Sequence, residues 1–128
     1  MKLLLDTHAF LWFVLADPKL KATALDLISD RDNDILVSPA SYWEIAIKVS
    51  LKRLELRASF DDFMQRGIEG NDFEILPIET RHASKLSTLP YHHGDPFDRM
   101  LIAQALVEAI PIVSVDGQFD HYGVQRLW

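Results

Sequence analysis

A chain of 128 residues, 48% hydrophobic and 25% charged, has the size and composition of one globular domain that folds without covalent cross-links. The absence of cysteine excludes disulfide frameworks, thiolate zinc sites and cysteine nucleophiles. A formal net charge of −6 argues against broad, non-specific binding of nucleic acid through a basic surface, although clustered acids that hold metal ions would also make this count more negative.

The start of the chain has the pattern of neither a membrane span nor a signal peptide. The apolar run over residues 9–16 is too short to cross a bilayer. Asp6 and His8 interrupt the apolar residues that precede them, and no small-residue cleavage site follows a proper apolar stretch. We therefore expect a cytoplasmic protein with no membrane partner.

Apolar periodicity and turn residues predict strands and helices that alternate along the chain. The first half of the chain is predicted to form a strand over 2–5, helices over 7–15 and 19–31, a strand over 35–37, a helix over 39–51 and an irregular connection over 52–58. The second half is predicted to form a helix over 60–70, a strand over 73–78, a helix over 80–89 and a loop over 90–94. A helix that begins at 95–96 and strands over 110–115 and 124–127 complete the prediction. This alternation predicts one α/β domain over residues 1–128, with a mainly parallel sheet and helices on both faces.

Two patterns predict which side chains form the core. The helix that begins at 95–96 is expected to turn one apolar stripe inward, made of Met100, Ala103, Leu106 and Val107. The aromatic residues near the first and third helices are expected to be mostly core, with one or two exposed for a partner helix: Phe10, Trp12, Phe13, Tyr42 and Trp43.

Four acidic residues occupy positions that this topology would bring together. Asp6 and Asp116 end predicted strands, Glu44 lies two turns into the helix after strand 35–37, and Asp98 lies in the first turn of the helix after loop 90–94. In open α/β sheets, ligands bind beyond the carboxyl ends of the strands. Two carboxylates about 5 Å apart repel by roughly 3 kcal/mol at an effective dielectric near 20, so a cluster of four calls for a cation.

Each acid also has an ordinary structural explanation when it is considered alone. These are a helix cap for Asp6, a capping box with Ser41 or an ion pair with Lys48 for Glu44, a helix-dipole contact for Asp98, and a turn before Gly117 for Asp116. Only the combination of the four favours a metal site.

Carboxylate ligands suit Mg²⁺ or Mn²⁺ better than zinc, because the chain lacks cysteine and has no histidine pair at ligand spacing. His92 and His93 are adjacent in a predicted loop, and we expect both to be solvated. Such a centre suits phosphodiester hydrolysis by a metal-activated water. No serine–histidine arrangement suggests a competing nucleophile.

Two phosphotransfer classes fit poorly. A haloacid-dehalogenase-like phosphatase would carry a second aspartate two residues after Asp6, where this chain has His8. A response-regulator receiver would carry an acidic pair near Asp6 and a lysine after Asp98, and neither is present.

Four segments of the chain resemble PIN-domain toxins of the VapC type and occur in the family's order: LLLDTHAFLWFV, SPASYWEIAIKVSLKRL, DPFDRMLIAQA and IVSVDGQFDHYGV. The resemblance covers nearly the whole chain. It implies a three-layer α/β/α fold and a Mg²⁺- or Mn²⁺-dependent endoribonuclease that acts as the toxin of a toxin–antitoxin pair. It also implies an RNA substrate, an antitoxin protein that silences the enzyme, and a homodimer.

Residue by residue, the resemblance assigns the family's catalytic, metal-binding acids to Asp6, Glu44, Asp98 and Asp116. Asp95 belongs to the same segment as Asp98, but its place before a proline favours helix capping. The alternative function is a catalytically silent PIN-like module that binds a protein partner.

Several polar residues beside the acids have two interpretations each. The hydroxyls of Thr7, Ser41 and Ser114 either hydrogen-bond a carboxylate or a metal-bound water of the site or cap backbone groups. Arg99 either contacts a substrate phosphate or forms a structural salt bridge. A basic stripe on or after the third helix either binds nucleic acid or is a solvated face: Lys48, Lys52 and Arg53.

Overall fold

A five-stranded, fully parallel β-sheet forms the centre of the computed structural model, which describes residues 1–128. The strands are β1 (Lys2–Leu5), β2 (Asp34–Val37), β3 (Glu74–Ile75), β4 (Ile112–Val113) and β5 (Arg126–Leu127), in the order β3-β2-β1-β4-β5. Leu4 of the central strand lies opposite Leu36 on one side and Ile112 on the other. All four strand pairs are parallel, which confirms the predicted sheet.

Six α-helices connect the strands: α1 (Thr7–Val14), α2 (Ala22–Ser29), α3 (Pro39–Ser50), α4 (Phe60–Ile68), α5 (Thr80–Ser87) and α6 (Pro96–Glu108). Short 3₁₀ turns cover Glu69–Asn71 and Gly117–Tyr122. Local chemistry sets several helix starts; Ser38, for example, accepts a hydrogen bond from the Ala40 N–H while Pro39 occupies the first position of α3. None of these helices has the length and apolar character needed to span a bilayer.

Successive residues of β1 pack into different cores, because neighbouring side chains of a strand point to opposite faces of the sheet. Leu3 and Leu5 join the core built with α1, α2 and α4. Leu4 joins the core built with α6 and the residues that follow α5. The fold is therefore a three-layer α/β/α sandwich, as predicted.

The inward stripe predicted for α6 is only partly confirmed. Ala103 is buried and Met100 and Leu106 pack against the core, but the stripe includes Val107, which does not, and omits the buried Leu101, Ile102 and Ala105. The helix packs against both α5 and α3 as well as the sheet, so apolar residues occur around most of its circumference. Periodicity could not select one face for this reason.

Strand lengths also differ from the prediction. The apolar run 110–115 contributes only Ile112–Val113 to the sheet, and 73–78 contributes only Glu74–Ile75. The flanking residue Val115 is 46% exposed. β3 pairs with β2 only at Leu36–Glu74 and Val37–Ile75, and β4 pairs with β5 only at Ile112–Arg126 and Val113–Leu127, so hydrogen-bonded pairing ends before either apolar run does.

The strand order creates a switch point between β1 and β4, because the chain continues from β1 to β2 on one side and reaches β4 later on the other. Crevices of this kind, beyond the carboxyl ends of the strands, are where open α/β sheets bind ligands. Asp6 directly follows β1, and its N–H donates to the Val113 carbonyl of β4 at 3.1 Å. The candidate site lies in this crevice.

Candidate metal centre

Asp6 combines a structural and a site role. It is the N-cap of α1, where the Ala9 N–H donates to its Oδ1 at 2.8 Å, so the predicted capping role is confirmed. Its side chain is nevertheless buried in the crevice, with the residue 3% exposed. Burial raises the pKa of this carboxyl, while hydrogen bonds from Ser114 and Ala9 oppose the rise.

The raised pKa of Asp98 indicates most directly that the acids share one crevice. Burial raises its pKa to about 7, and the negative charges of Asp95, Asp6 and Glu44 add to the rise, while His93 opposes it. Asp116 in turn raises the pKa of Asp6. Asp98 therefore lies within electrostatic reach of Asp6 and Glu44, and its carboxylate oxygen lies within 4.8 Å of one of Asp116.

Glu44 presents a buried carboxylate oxygen that is suited to a cation. Its Oε2 pairs with Lys48 Nζ at 3.2 Å, which confirms the predicted ion pair, but its Oε1 is buried without any hydrogen-bond partner. A buried polar atom without a partner costs about 1–3 kcal/mol. An unpaired carboxylate oxygen among other acids fits the oxygen ligands that Mg²⁺ and Mn²⁺ prefer. The capping box predicted for Glu44 is wrong, because Ser38 rather than Ser41 caps α3.

Sequence reasoning missed His93. Its Nε2 lies 2.8 Å from Asp116 Oδ2 and 3.2 Å from Asp98 Oδ2, and its side chain is only 12% exposed. The prediction of a solvated side chain is wrong for His93, whereas His92 is exposed. The only signal in the sequence is its position two residues before Asp95, in the loop that leads into α6.

The small polar residues beside the acids connect the elements that carry them. Thr7 donates to Ser41 across a buried contact of 3.1 Å, which joins α1 to α3. Ser114 accepts a hydrogen bond from the Asp116 N–H at 3.0 Å, and its hydroxyl lowers the pKa of the Asp6 carboxyl. Ser114 therefore lies between two of the acids, and any contact of Thr7 or Ser114 with substrate stays a prediction.

Of the two interpretations of Arg99, the structure favours a structural role, although its partners are backbone carbonyls rather than the acid of a salt bridge. Its guanidinium donates to the Leu89 and Pro90 carbonyls at 3.1 and 2.8 Å, and it stacks on the Tyr91 ring at 3.9 Å. The residue is 5% exposed, so the loop before α6 covers it. The interpretation of Asp95 as a helix cap is confirmed, since its Oδ1 accepts from two N–H groups of α6.

Of the predicted basic stripe, two residues line a groove beside the acids. Lys48 and Arg53 face His8 and Trp12 across a groove of about 300 Å³. Because Lys48 also pairs with Glu44, this groove borders the acidic crevice. Lys52 is exposed.

Asp6→Asn should leave the metal-free protein as stable as the wild type or more stable, because the amide keeps the helix cap and removes a buried charge. Asp6→Ala should unfold with about 1 kcal/mol less free energy than Asp6→Asn, since alanine has no capping acceptor. Urea unfolding in the presence of a chelator measures both. Equal losses in the two variants would show that the carboxylate itself stabilises the fold.

A family model for the PIN domain matches residues 3–125 of the chain. The chain belongs to the PIN-domain family. The predicted family is thereby confirmed over nearly the full length of the sequence. No curated protein matches the sequence.

Solved structures of PIN proteins share this fold at low sequence identity. A chain of VapBC2 from Rickettsia felis, bound to a promoter DNA fragment, superposes with a TM-score of 0.74 at 14% identity, covering 99% of this chain and 98% of that chain. A chain of DNA-bound VapBC from Salmonella typhimurium gives 0.70 at 16% identity, covering 99% and 97%. A chain of FitAcB from Neisseria gonorrhoeae gives 0.67 at 17% identity, covering 98% and 96%. These likenesses confirm the PIN fold.

Proposed function

We propose that this PIN protein is a Mg²⁺- or Mn²⁺-dependent endoribonuclease that acts as the toxin of a toxin–antitoxin pair. The observation that carries the proposal is the convergence of Asp6, Glu44, Asp98 and Asp116 at the switch point of the sheet. The unpaired Oε1 of Glu44 identifies the same crevice as a place for a cation.

The four acids would hold the ion, which supplies an activated water and offsets negative charge on the phosphodiester. Asp6 is held in place by its capping bond from the Ala9 N–H, and Glu44 by Lys48. Asp98, with a pKa of about 7, is partly protonated at neutral pH and releases that proton on becoming a ligand. Metal binding should therefore strengthen as the pH rises.

The substrate that we propose is an RNA strand. The net charge of −6 argues against broad electrostatic capture of nucleic acid, so local cations would receive the phosphates. Lys48 and Arg53 line the groove that borders the crevice, and they are the cations we assign to this role. Thr7 and Ser114 are buried beside the acids and would act by supporting them.

The proposed protein partner is an antitoxin that blocks the crevice, and the proposed assembly includes a homodimer in the cytoplasm. Support comes from the similar structures, several of which are VapBC or FitAB complexes. The exposed Trp43, 61% accessible and packed edge-on against Phe97, is an aromatic surface for such a partner.

The test is to incubate the purified protein, free of any bound antitoxin, with total cellular RNA in the presence and absence of Mg²⁺ or Mn²⁺. Sequencing the new RNA ends reveals the target without a prior choice of substrate. We expect discrete cuts that require the metal and disappear on chelation. A folded, partner-free protein that makes no cuts would favour the catalytically silent binding module.

A further inference from the structure

The loop that carries His93 is held rigidly from two directions. The Tyr122 hydroxyl accepts hydrogen bonds from the His92 and His93 N–H groups at 2.8 and 2.7 Å. Arg99 binds two carbonyls at the start of the same loop. The backbone of His93 is therefore held by contacts that do not depend on its side chain, as a preorganised site requires.

The hydrogen bonds around the His93 ring define its tautomer. The Asp95 N–H donates to Nδ1 at 3.1 Å, so Nδ1 must present its lone pair. The ring proton then lies on Nε2, which faces Asp116 Oδ2 at 2.8 Å and Asp98 Oδ2 at 3.2 Å. In this arrangement both ring nitrogens are used, and neither offers a free lone pair to a metal ion.

A donor at this position offsets the repulsion between two carboxylates whose facing oxygens lie within 4.8 Å of each other. The other oxygen of Asp116, Oδ1, already accepts from the Gln118 N–H at 2.9 Å. His93 therefore completes the set of contacts that fixes the orientation of Asp116. It also gives Asp98 a contact from outside its own helix.

We propose that His93 is a positioning residue of the acidic centre: its Nε2–H donates to Asp116 and lies against Asp98 Oδ2, which orients both carboxylates for the cation, and the imidazole itself does not ligate the cation. The inference rests on the proposed function in assuming that the crevice binds a divalent metal. The His93 ring thereby adds a hydrogen-bond donor to a site for which the sequence predicts only acids.

The tautomer is measurable without metal or RNA. A long-range ¹H–¹⁵N spectrum of the metal-free protein, recorded at mildly alkaline pH, should show His93 as the Nε2–H form. The Nδ1–H form, or an even mixture of the two, would overturn the proposal. This readout is independent of whether the protein cleaves RNA.

Two substitutions separate the functions of the two ring nitrogens. Gln places an amide donor near the Nε2 position and loses the Nδ1 acceptor, whereas Asn keeps an acceptor near Nδ1 and loses the donor. His93→Asn should lower the affinity for Mn²⁺ by about 10- to 100-fold, as is usual for partners that orient metal ligands. His93→Gln should retain an affinity close to that of the wild type.

Calorimetric titration with Mn²⁺ alone gives these affinities, and thermal unfolding of the metal-free variants accompanies it. His92→Gln is the matched control, because its exposed ring lies in the same loop without contacting an acid. An unchanged affinity in His93→Asn would overturn the proposal, and so would an equal loss in His93→Gln. If the wild type bound no Mn²⁺, the proposed function would fail. The ¹H–¹⁵N spectrum would still show whether the His93 Nε2–H is the donor to the acids.

Discussion

Asp98→Asn should reduce metal-dependent RNA cleavage by a factor of about 100 or more, since a catalytic metal supplies several kcal/mol of transition-state stabilisation and each 1.4 kcal/mol is a factor of ten. Asp98 is coupled to the other acids of the cluster, because Asp95, Asp6 and Glu44 all raise the pKa of its carboxyl. The measurement is the initial rate of cleavage of a target RNA at saturating Mn²⁺.

Asp95→Asn provides the matched control for this result. It removes the same charge less than one turn away, and the amide oxygen can still cap α6 in place of Oδ1. This variant should keep most of the activity. A loss equal to that of Asp98→Asn would mean that overall charge, rather than a specific ligand, explains the effect.

Asp98→Asn should also change how the free energy of unfolding depends on pH in the absence of metal. The pKa of Asp98 rises from 3.8 in the unfolded chain to about 7 in the fold, so the folded state holds its proton more tightly. The stability that the fold gains from this tighter proton binding is fully present below pH 3.8 and is lost as the pH rises through about 7. Its size is at most about 4 kcal/mol, because each pKa unit corresponds to about 1.4 kcal/mol.

Urea unfolding at a series of pH values, with a chelator present, measures this dependence. The wild type should lose stability between pH 4 and 7, and the loss should be much smaller in Asp98→Asn. Parallel curves for the two proteins would place the titrating group elsewhere. Asp6 acts in the same direction as Asp98, since burial raises its pKa too.

Arg99→Met should lower the free energy of unfolding by about 3 kcal/mol or more, because each buried carbonyl left without its donor costs roughly 1–3 kcal/mol. Two carbonyls, those of Leu89 and Pro90, lose their donor, and the stacking on Tyr91 is lost with them. Methionine keeps most of the side-chain volume, so the change isolates the polar contacts. Chemical unfolding measures the loss.

Arg81→Met is a suitable control for Arg99→Met. Arg81 forms ion pairs with Glu79 and Glu108, but its side chain is 52% exposed, so water and salt screen these pairs. Its replacement should have a much smaller effect. Equal losses in the two variants would mean that the contacts of Arg99 with the loop contribute little to stability.

The meeting of Asp6 and Asp116 at one edge of the sheet could be predicted from the sequence because it follows from the topology, whereas the role of the four acids as metal ligands stays a prediction. Asp6 comes directly after β1, and Asp116 follows β4, the neighbour of β1 in the sheet. Parallel strands end at one edge of a sheet, so residues more than a hundred positions apart meet there. Helix starts such as Ser38-Pro39 were equally predictable, since capping depends on neighbouring residues only.

His93 could not be predicted, because the path of its loop depends on distant residues. Tyr122 binds the loop's N–H groups from 29 and 30 positions away, and this contact sets the direction of the His93 ring. The buried face of α6 was unpredictable for a related reason. The helix contacts the sheet, α5 and α3, so only the tertiary arrangement decides which apolar residues are fully covered.

Direct binding of Mn²⁺ to the wild type and to Asp98→Asn, measured by titration calorimetry without RNA or partner, tests the central claim most directly. We expect saturable binding to the wild type that strengthens as the pH rises through 7, the pKa of Asp98. Binding should be lost or greatly weakened in Asp98→Asn. Equal affinity in the two proteins would contradict the assignment of this crevice as the metal centre.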